Sequence, residues 1–129
     1  LIGYNTDIVG FDKAIKALNF NMKDKKILIL GAGGVVPSII FALKKMDVLE
    51  ITISNRTKKK AENLKILFKN LNVLEWGNLS EFDVVINATS LGLNNEKSLQ
   101  QPQRLLWYLL SPHINVHAFQ LHHKQLLVT

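Results

Sequence analysis

The segment with the clearest chemical meaning is a glycine-rich stretch that directly follows a short apolar run. Residues 27–30 are all Ile or Leu, and the next five residues are Gly31, Ala32, Gly33, Gly34 and Val35. Gly31 permits a tight turn, and the absent side chain of Gly33 lets a pyrophosphate approach the backbone. The free N–H groups of a following helix would face that anion. The stretch therefore predicts a dinucleotide-binding turn, although βα turns of other proteins also favour glycine.

A second polar segment, Asn55-Arg56-Thr57, follows the next apolar run. At this distance after the glycine turn, a carboxylate would accept hydrogen bonds from the ribose hydroxyls and favour NAD. No carboxylate is present, and the Arg56 guanidinium can bind a 2′-phosphate through paired hydrogen bonds. Lys58, Lys59 and Lys60 add positive charge. We interpret the segment as an NADP-selecting site; the alternative is a helix start capped by Asn55 or Thr57, with a solvated arginine.

The elements that must position these residues follow from hydrophobic periodicity. Apolar residues at helical spacing predict helices over residues 7–19 and 35–46, and a third around residues 61–71. Short apolar runs predict strands at 27–30, 51–54, 73–74 and 84–86. Strands that alternate with helices indicate an α/β fold, a Rossmann-like doubly wound parallel sheet that is incomplete here. We expect residues 24–90 to form this sheet with helices on both faces.

Length and composition restrict the possible classes of protein. The chain has 129 residues, 47% of them hydrophobic, no cysteine and a net charge of +6. This profile is typical of one globular domain and excludes disulfide scaffolds, cysteine zinc sites and thiol nucleophiles. The lysines are scattered and not interleaved with aromatic residues, so we expect solvated lysine faces, no nucleic-acid surface and no membrane segment. No basic-then-apolar signal segment follows Leu1, so we expect a cytoplasmic protein. Because residue 1 is not methionine, we also expect a piece of something longer.

The composition changes near residue 97. All ten acidic residues and all seven glycines lie at or before Glu96, whereas all four histidines and all five glutamines lie beyond Lys97. We therefore predict a domain over residues 1–97 and an unmatched tail over 98–129, translated out of frame or divergent. The tail should pack poorly and add no comparable strand ladder. Its histidines have no nearby carboxylate or cysteine, so we expect no metal site.

Four motifs together carry a resemblance to a known family. They are Asn5-Thr6-Asp7 followed by Gly10-Phe11, Gly31-Ala32-Gly33-Gly34, Asn55-Arg56-Thr57, and Asn87-Ala88-Thr89-Ser90-Leu91-Gly92. In this order and spacing they resemble shikimate dehydrogenase. The resemblance covers residue 3 to about residue 95, which corresponds to the NADP-binding domain beginning at the hinge helix.

The resemblance implies an activity and a set of site residues. The family reduces 3-dehydroshikimate to shikimate with NADPH on the route to aromatic amino acids. Asp7 would be a catalytic and substrate-binding residue beside a lysine of a separate substrate domain; from the residues alone, it would be a helix cap. The resemblance assigns the cofactor to Gly31, Ala32, Gly33, Gly34 and Val35 at the pyrophosphate, Asn55, Arg56 and Thr57 at the adenosine phosphate, and Thr89 and Ser90 near the nicotinamide.

The sequence also departs from the family pattern. The substrate domain that precedes the Asn5-Thr6-Asp7 motif is absent, and the later tyrosine-bearing turn and glutamine-bearing helix are not recognisable after Gly92. We therefore expect a fragment or decayed copy that is inactive alone. Two alternatives stay open: a quinate/shikimate dehydrogenase relative that uses NAD(P), and a stand-alone nucleotide-binding module without catalysis.

Overall fold

The computed structural model describes residues 11–13, 15–17, 19–78, 80–89, 117–122 and 125–128. Asp7 and Ser90 lie outside the described residues. Residues 11–17, apart from residue 14, form helix α1. The remaining elements are β1 (Lys26–Leu30), α2 (Val36–Lys45), β2 (Glu50–Ser54), α3 (Lys58–Leu67), β3 (Leu71–Val73), β4 (Val84–Asn87), β5 (His117–His122) and β6 (Gln125–Val128).

The strands form one sheet in the order β3-β2-β1-β4-β5-β6. Every neighbouring pair is parallel except β5 and β6, which are antiparallel. The chain progresses from β1 outwards to β3 and then returns to the other side of β1 as β4. The carboxyl ends of β1 and β4 therefore border the crevice where open α/β sheets bind ligands. The predicted α/β, Rossmann-like sheet is confirmed, and the short third strand begins two residues earlier than expected.

The main core lies between one face of the sheet and the three described helices. Side chains alternate along a strand, so Ile27 and Ile29 of β1 share this face with Ile51 and Ile53 of β2. They form one cluster with buried side chains of all three helices: Phe11, Ile15, Val36, Ile39, Ile40, Leu43, Ala61 and Leu64. In the part of the chain that the structure describes, no helix is long and apolar enough to cross a membrane.

The opposite face of the sheet carries a smaller cluster. Leu28, Leu30 and Val85 are buried there together with Phe82, and Leu74 and Trp76 pack against them. The described helices thus lie on one face, not on both as predicted. The connections from β1 to β2 and from β2 to β3 progress in the same direction, and right-handed crossovers then place both helices on the same side.

The prediction that residues 98–129 add no strand ladder is wrong. Val84 pairs with His117 and Asn87 with Gln120, so β5 extends the parallel sheet beside β4. Strand β6 then pairs with β5, with Leu121 opposite Leu126. The prediction rested on the absence of glycine and carboxylates, which strands do not require. Phe119 and Leu121 alternate with polar neighbours, and this period of two favours a strand.

Candidate functional site

A groove of about 550 Å³ lies at the carboxyl edge of the sheet. Segments that follow β1, β2, β3 and β4 all contribute to it, because the carboxyl ends of parallel strands meet at one edge. It is lined by Gly31, Ala32, Gly33, Gly34, Val35, Asn55, Arg56, Thr57, Lys60, Trp76, Ala88 and Thr89. Of these lining residues, Arg56 and Lys60 are basic and none is acidic, so the groove favours an anion.

Gly31 forms the bottom of the turn, where any side chain would be strained and tightly packed. Its φ is +111°, and a Cβ at this position would lie 3.0 Å from the carbonyl carbon and oxygen of Ala88. Its N–H donates to the Ser54 carbonyl at 2.8 Å, while the Ala88 N–H donates to the Leu30 carbonyl at 2.8 Å. The turn is thereby joined to the ends of both neighbouring strands, and its shape is set by the sheet.

The next two glycines keep space open above the turn. A Cβ at Gly33 or Gly34 would have no heavy atom within 4 Å, so their lack of a side chain serves no internal packing. Helix α2 follows, with Val35 at its N-cap, no side-chain hydrogen bond to that cap and no acidic residue in its first turn. The start of a helix bears partial positive charge on its N–H groups. In this turn the Val36 N–H donates to the Gly33 carbonyl at 3.1 Å and Pro37 has no N–H, so the donors for an approaching phosphate would come from the turn residues before Val36.

The segment after β2 places two cations at the groove. The Asn55 Nδ2 donates to the Thr57 carbonyl at 2.9 Å, which holds the turn between them. Thr57 is the N-cap of α3, yet no side chain caps that helix. The structure thus shows no capping hydrogen bond from the Thr57 side chain, and the solvated arginine of the alternative stays open. Arg56 and Lys60 are exposed, and in the described part of the chain no carboxylate pairs with the Arg56 guanidinium.

The opposite side of the groove is built by the end of β4. Asn87 is buried, and its Oδ1 accepts hydrogen bonds from the Thr89 N–H at 3.1 Å and the Thr89 hydroxyl at 2.6 Å. These bonds turn the chain at Ala88 and Thr89, which line the groove beside Gly31. The buried amide thus determines where Thr89 stands relative to the glycine turn.

The structure brings together all nine described residues of the predicted cofactor site, since each of them lines the groove. Asp7 and Ser90 are the predicted site residues that lie outside the described part of the chain. Trp76 and Ala88 line the groove but were not predicted as site residues, and Lys60 was predicted only to add positive charge near Arg56. Trp76 lies three residues after the end of β3, and that position beyond a strand's carboxyl end was the available signal. The absence of a metal site stays a prediction.

Comparisons with known proteins agree with this geometry. The family model for shikimate / quinate 5-dehydrogenase matches residues 12–98. Shikimate dehydrogenase (NADP(+)) of Pelagibacter ubique is 50% identical over 99 residues, which are 77% of this chain and 37% of that protein. The shikimate 5-dehydrogenase of Thermus thermophilus, solved in complex with NADP(H) and shikimate, is 35% identical with a TM-score of 0.59, over 68% of this chain and 33% of that one.

One further solved structure is similar to a larger share of the chain. A chorismate mutase/shikimate 5-dehydrogenase fusion protein from Clostridium acetobutylicum covers 92% of this chain and 41% of that chain, with a TM-score of 0.69 at 22% identity. The chain spans about a third of the length of the curated relatives it matches. From the matching family model and these relatives, the chain belongs to the shikimate / quinate 5-dehydrogenase family.

Proposed function

We propose that the chain is the NADP-binding part of a shikimate dehydrogenase, which reduces 3-dehydroshikimate to shikimate with NADPH in aromatic amino acid biosynthesis. The observation that carries the proposal is the groove at the carboxyl edge, which joins the glycine turn to Arg56 and Lys60. The names of the relatives support the cofactor, because Pelagibacter and Caldicellulosiruptor proteins of this family are NADP(+) enzymes.

The residues of the groove fit this cofactor. Space above Gly33 and Gly34 and the uncapped start of α2 suit a pyrophosphate, which would accept hydrogen bonds from backbone N–H groups. The exposed guanidinium of Arg56 and the ammonium of Lys60 suit a 2′-phosphate. When bound, NADPH supplies the hydride, while the chain binds and orients the cofactor.

Substrate chemistry requires groups beyond this groove. We propose that Asp7 binds a ring hydroxyl of the substrate and acts in proton transfer with a lysine of a substrate domain, and that Ser90 stands near the nicotinamide with Thr89. The 129 residues span about a third of the length of the curated relatives. Positioning supplies much of the rate of an enzymatic reaction. We therefore expect the chain alone to bind NADP(H) without turning over shikimate.

Two other functions differ from this one, the first in its substrate and cofactor and the second in its lack of activity. The family model includes quinate dehydrogenases, and a quinate enzyme that prefers NAD would be expected to carry a carboxylate after β2. Asn55, Arg56 and Thr57 stand there instead. A stand-alone nucleotide-binding module would show the same cofactor preference, and it would stay inactive when supplied with the family's substrate domain.

Calorimetric titration of the chain with NADP⁺ and NAD⁺ tests the proposal. We expect NADP⁺ to bind about tenfold more tightly, because charge-assisted hydrogen bonds to the 2′-phosphate add to the shared contacts. Equal affinities, or no binding of either, would contradict an NADP site. Shikimate and quinate are then supplied to the chain joined to a family substrate domain, and reduction of NADP⁺ with shikimate identifies the enzyme.

Two predictions about the chain as a whole remain proposals. The cytoplasmic location follows from the proposed pathway role, and localisation of a tagged chain in its source cell tests it. A domain over residues 1–97 with an unmatched tail is a proposal that rests on the end of the family match at residue 98, whereas β5 and β6 belong to the same sheet as β1 and β4. The coding sequence across that position decides whether residues 98–129 are read in frame.

A further inference from the structure

Trp76 is the large aromatic side chain of the groove, and no part of the family resemblance assigns it a role. It lies in a turn after β3, where the Asn78 N–H donates to the Glu75 carbonyl at 3.0 Å and Gly77 has a φ of +91°. The Trp76 side chain is partly buried against the small cluster of Leu28, Leu30, Phe82 and Val85. It also lines the groove. One part of the indole is therefore anchored in the core, and another part is available to a ligand.

The strand order places Trp76 at one particular end of the groove. Across the carboxyl edge, the segment after β3 comes first, then the one after β2, then the glycine turn after β1, and finally the segment after β4. Trp76 thus neighbours the Arg56 segment, while Thr89 lies on the other side of the glycine turn. The groove has an aromatic and cationic end and, opposite to it, a small hydroxyl-bearing end.

We propose that Trp76 is the residue on which the adenine base of the dinucleotide stacks. The inference rests on the proposed function. The base and the 2′-phosphate are attached to adjacent carbons of one ribose, so a phosphate held by Arg56 places the base within reach of the neighbouring strand end. A purine stacks on any exposed aromatic face. The indole is already packed on one side, so little conformational freedom is lost when it binds.

The competing role for Trp76 is structural, as a cover for Leu28 and Leu30. Leu74 provides a matched control, because it packs against the same cluster but does not line the groove. Leu74→Ala removes apolar contacts with this cluster and leaves the lining of the groove unchanged. Trp76→Leu keeps an apolar cover and removes the aromatic face, whereas Trp76→Phe retains a smaller aromatic ring.

The experiment titrates each variant with adenosine 2′,5′-bisphosphate, which carries the base and the 2′-phosphate, and with nicotinamide mononucleotide. We expect Trp76→Leu to weaken the bisphosphate at least about fivefold, Trp76→Phe to weaken it less, and Leu74→Ala to leave it unchanged. Affinity for nicotinamide mononucleotide should stay the same in all variants. Unchanged bisphosphate affinity in folded Trp76→Leu overturns the inference.

A second measurement avoids any change at Trp76. The chain has two tryptophans, so Trp107→Phe leaves Trp76 as the single source of indole emission. Adenosine 2′,5′-bisphosphate should quench this emission with the same saturation curve as its binding, and inorganic phosphate should not. Binding without a change in emission contradicts the stacking. A chain that binds neither NADP⁺ nor the bisphosphate refutes the proposed function itself, which distinguishes the two failures.

Discussion

Gly31 and Ala88 approach so closely that a Cβ on Gly31 would lie 3.0 Å from the carbonyl carbon and oxygen of Ala88. The two residues belong to segments that are 57 positions apart and follow the neighbouring parallel strands β1 and β4. Hydrogen bonds to Ser54 and Leu30 hold them in place. The contact closes the bottom of the groove, so the same glycine contributes to stability and to the shape of the site.

Gly31→Ala should therefore destabilise the chain, whereas Gly33→Ala should not. At Gly31 the φ of +111° and the contact with Ala88 both oppose a side chain, and such backbone strain costs about 1–3 kcal/mol. A methyl at Gly33 meets no protein atom, but it occupies space that a pyrophosphate would use. Urea unfolding and NADP⁺ titration separate the effects. Equal stabilities of the two variants would show that the sheet adjusts at Gly31.

Arg56→Ala should weaken NADP⁺ about tenfold and leave NAD⁺ nearly unchanged, since only NADP⁺ carries the 2′-phosphate. Lys58→Ala is the matched control, because Lys58 is an exposed cation two residues after Arg56, at the start of α3, and does not line the groove. Calorimetry at two salt concentrations checks both variants, and added salt should reduce the preference. Parallel losses for the two cofactors would mean that Arg56 acts on the structure of the turn.

Asn87→Ala should lower the free energy of unfolding by about 1–3 kcal/mol, because it removes a buried acceptor that serves two donors of Thr89. Thr89→Val removes the hydroxyl donor and keeps the backbone N–H that donates to Asn87, and we expect a smaller loss of about 0.5–1.5 kcal/mol. Urea denaturation of both variants measures the difference. The prediction fails if Thr89→Val lowers the free energy of unfolding as much as Asn87→Ala does, since the hydrogen bond from the Thr89 backbone N–H would then contribute nothing.

Removal of residues 98–129 should destabilise the chain by more than a single hydrogen bond contributes, which is about 0.5–1.5 kcal/mol. The truncation takes away β5, whose ladder runs from Val84 to Asn87 of β4, and leaves β4 as an edge strand. Removing only residues 125–129 deletes the outer strand β6 and should cost less. Melting temperatures of the three proteins test this order. An undiminished melting temperature after the longer truncation would favour a tail that does not belong to the sheet.

Individual strands, helices and turns of this protein could be predicted from local sequence patterns. The apolar run 27–30 and the helical spacing of Val36, Ile39, Ile40 and Leu43 predict β1 and α2 because each element buries a continuous face. The glycine turn and the Asn55 segment were recognisable for a related reason. Each follows directly after an apolar strand, and their residue types suit one chemical task at that position.

Tertiary structure alone decided which distant segments meet. The sequence did not reveal that Trp76 shares a groove with Arg56. The two residues come together because β3 pairs with β2, for example through Val73 and Ile53, and no local pattern predicts that pairing. The sequence also did not reveal that β5 would extend the sheet beside β4. Strand pairing depends on which neighbour offers an unpaired edge and a matching buried face, and that information is spread over the whole chain. Hydrophobic pattern determines the elements here, and the order of the strands determines the site.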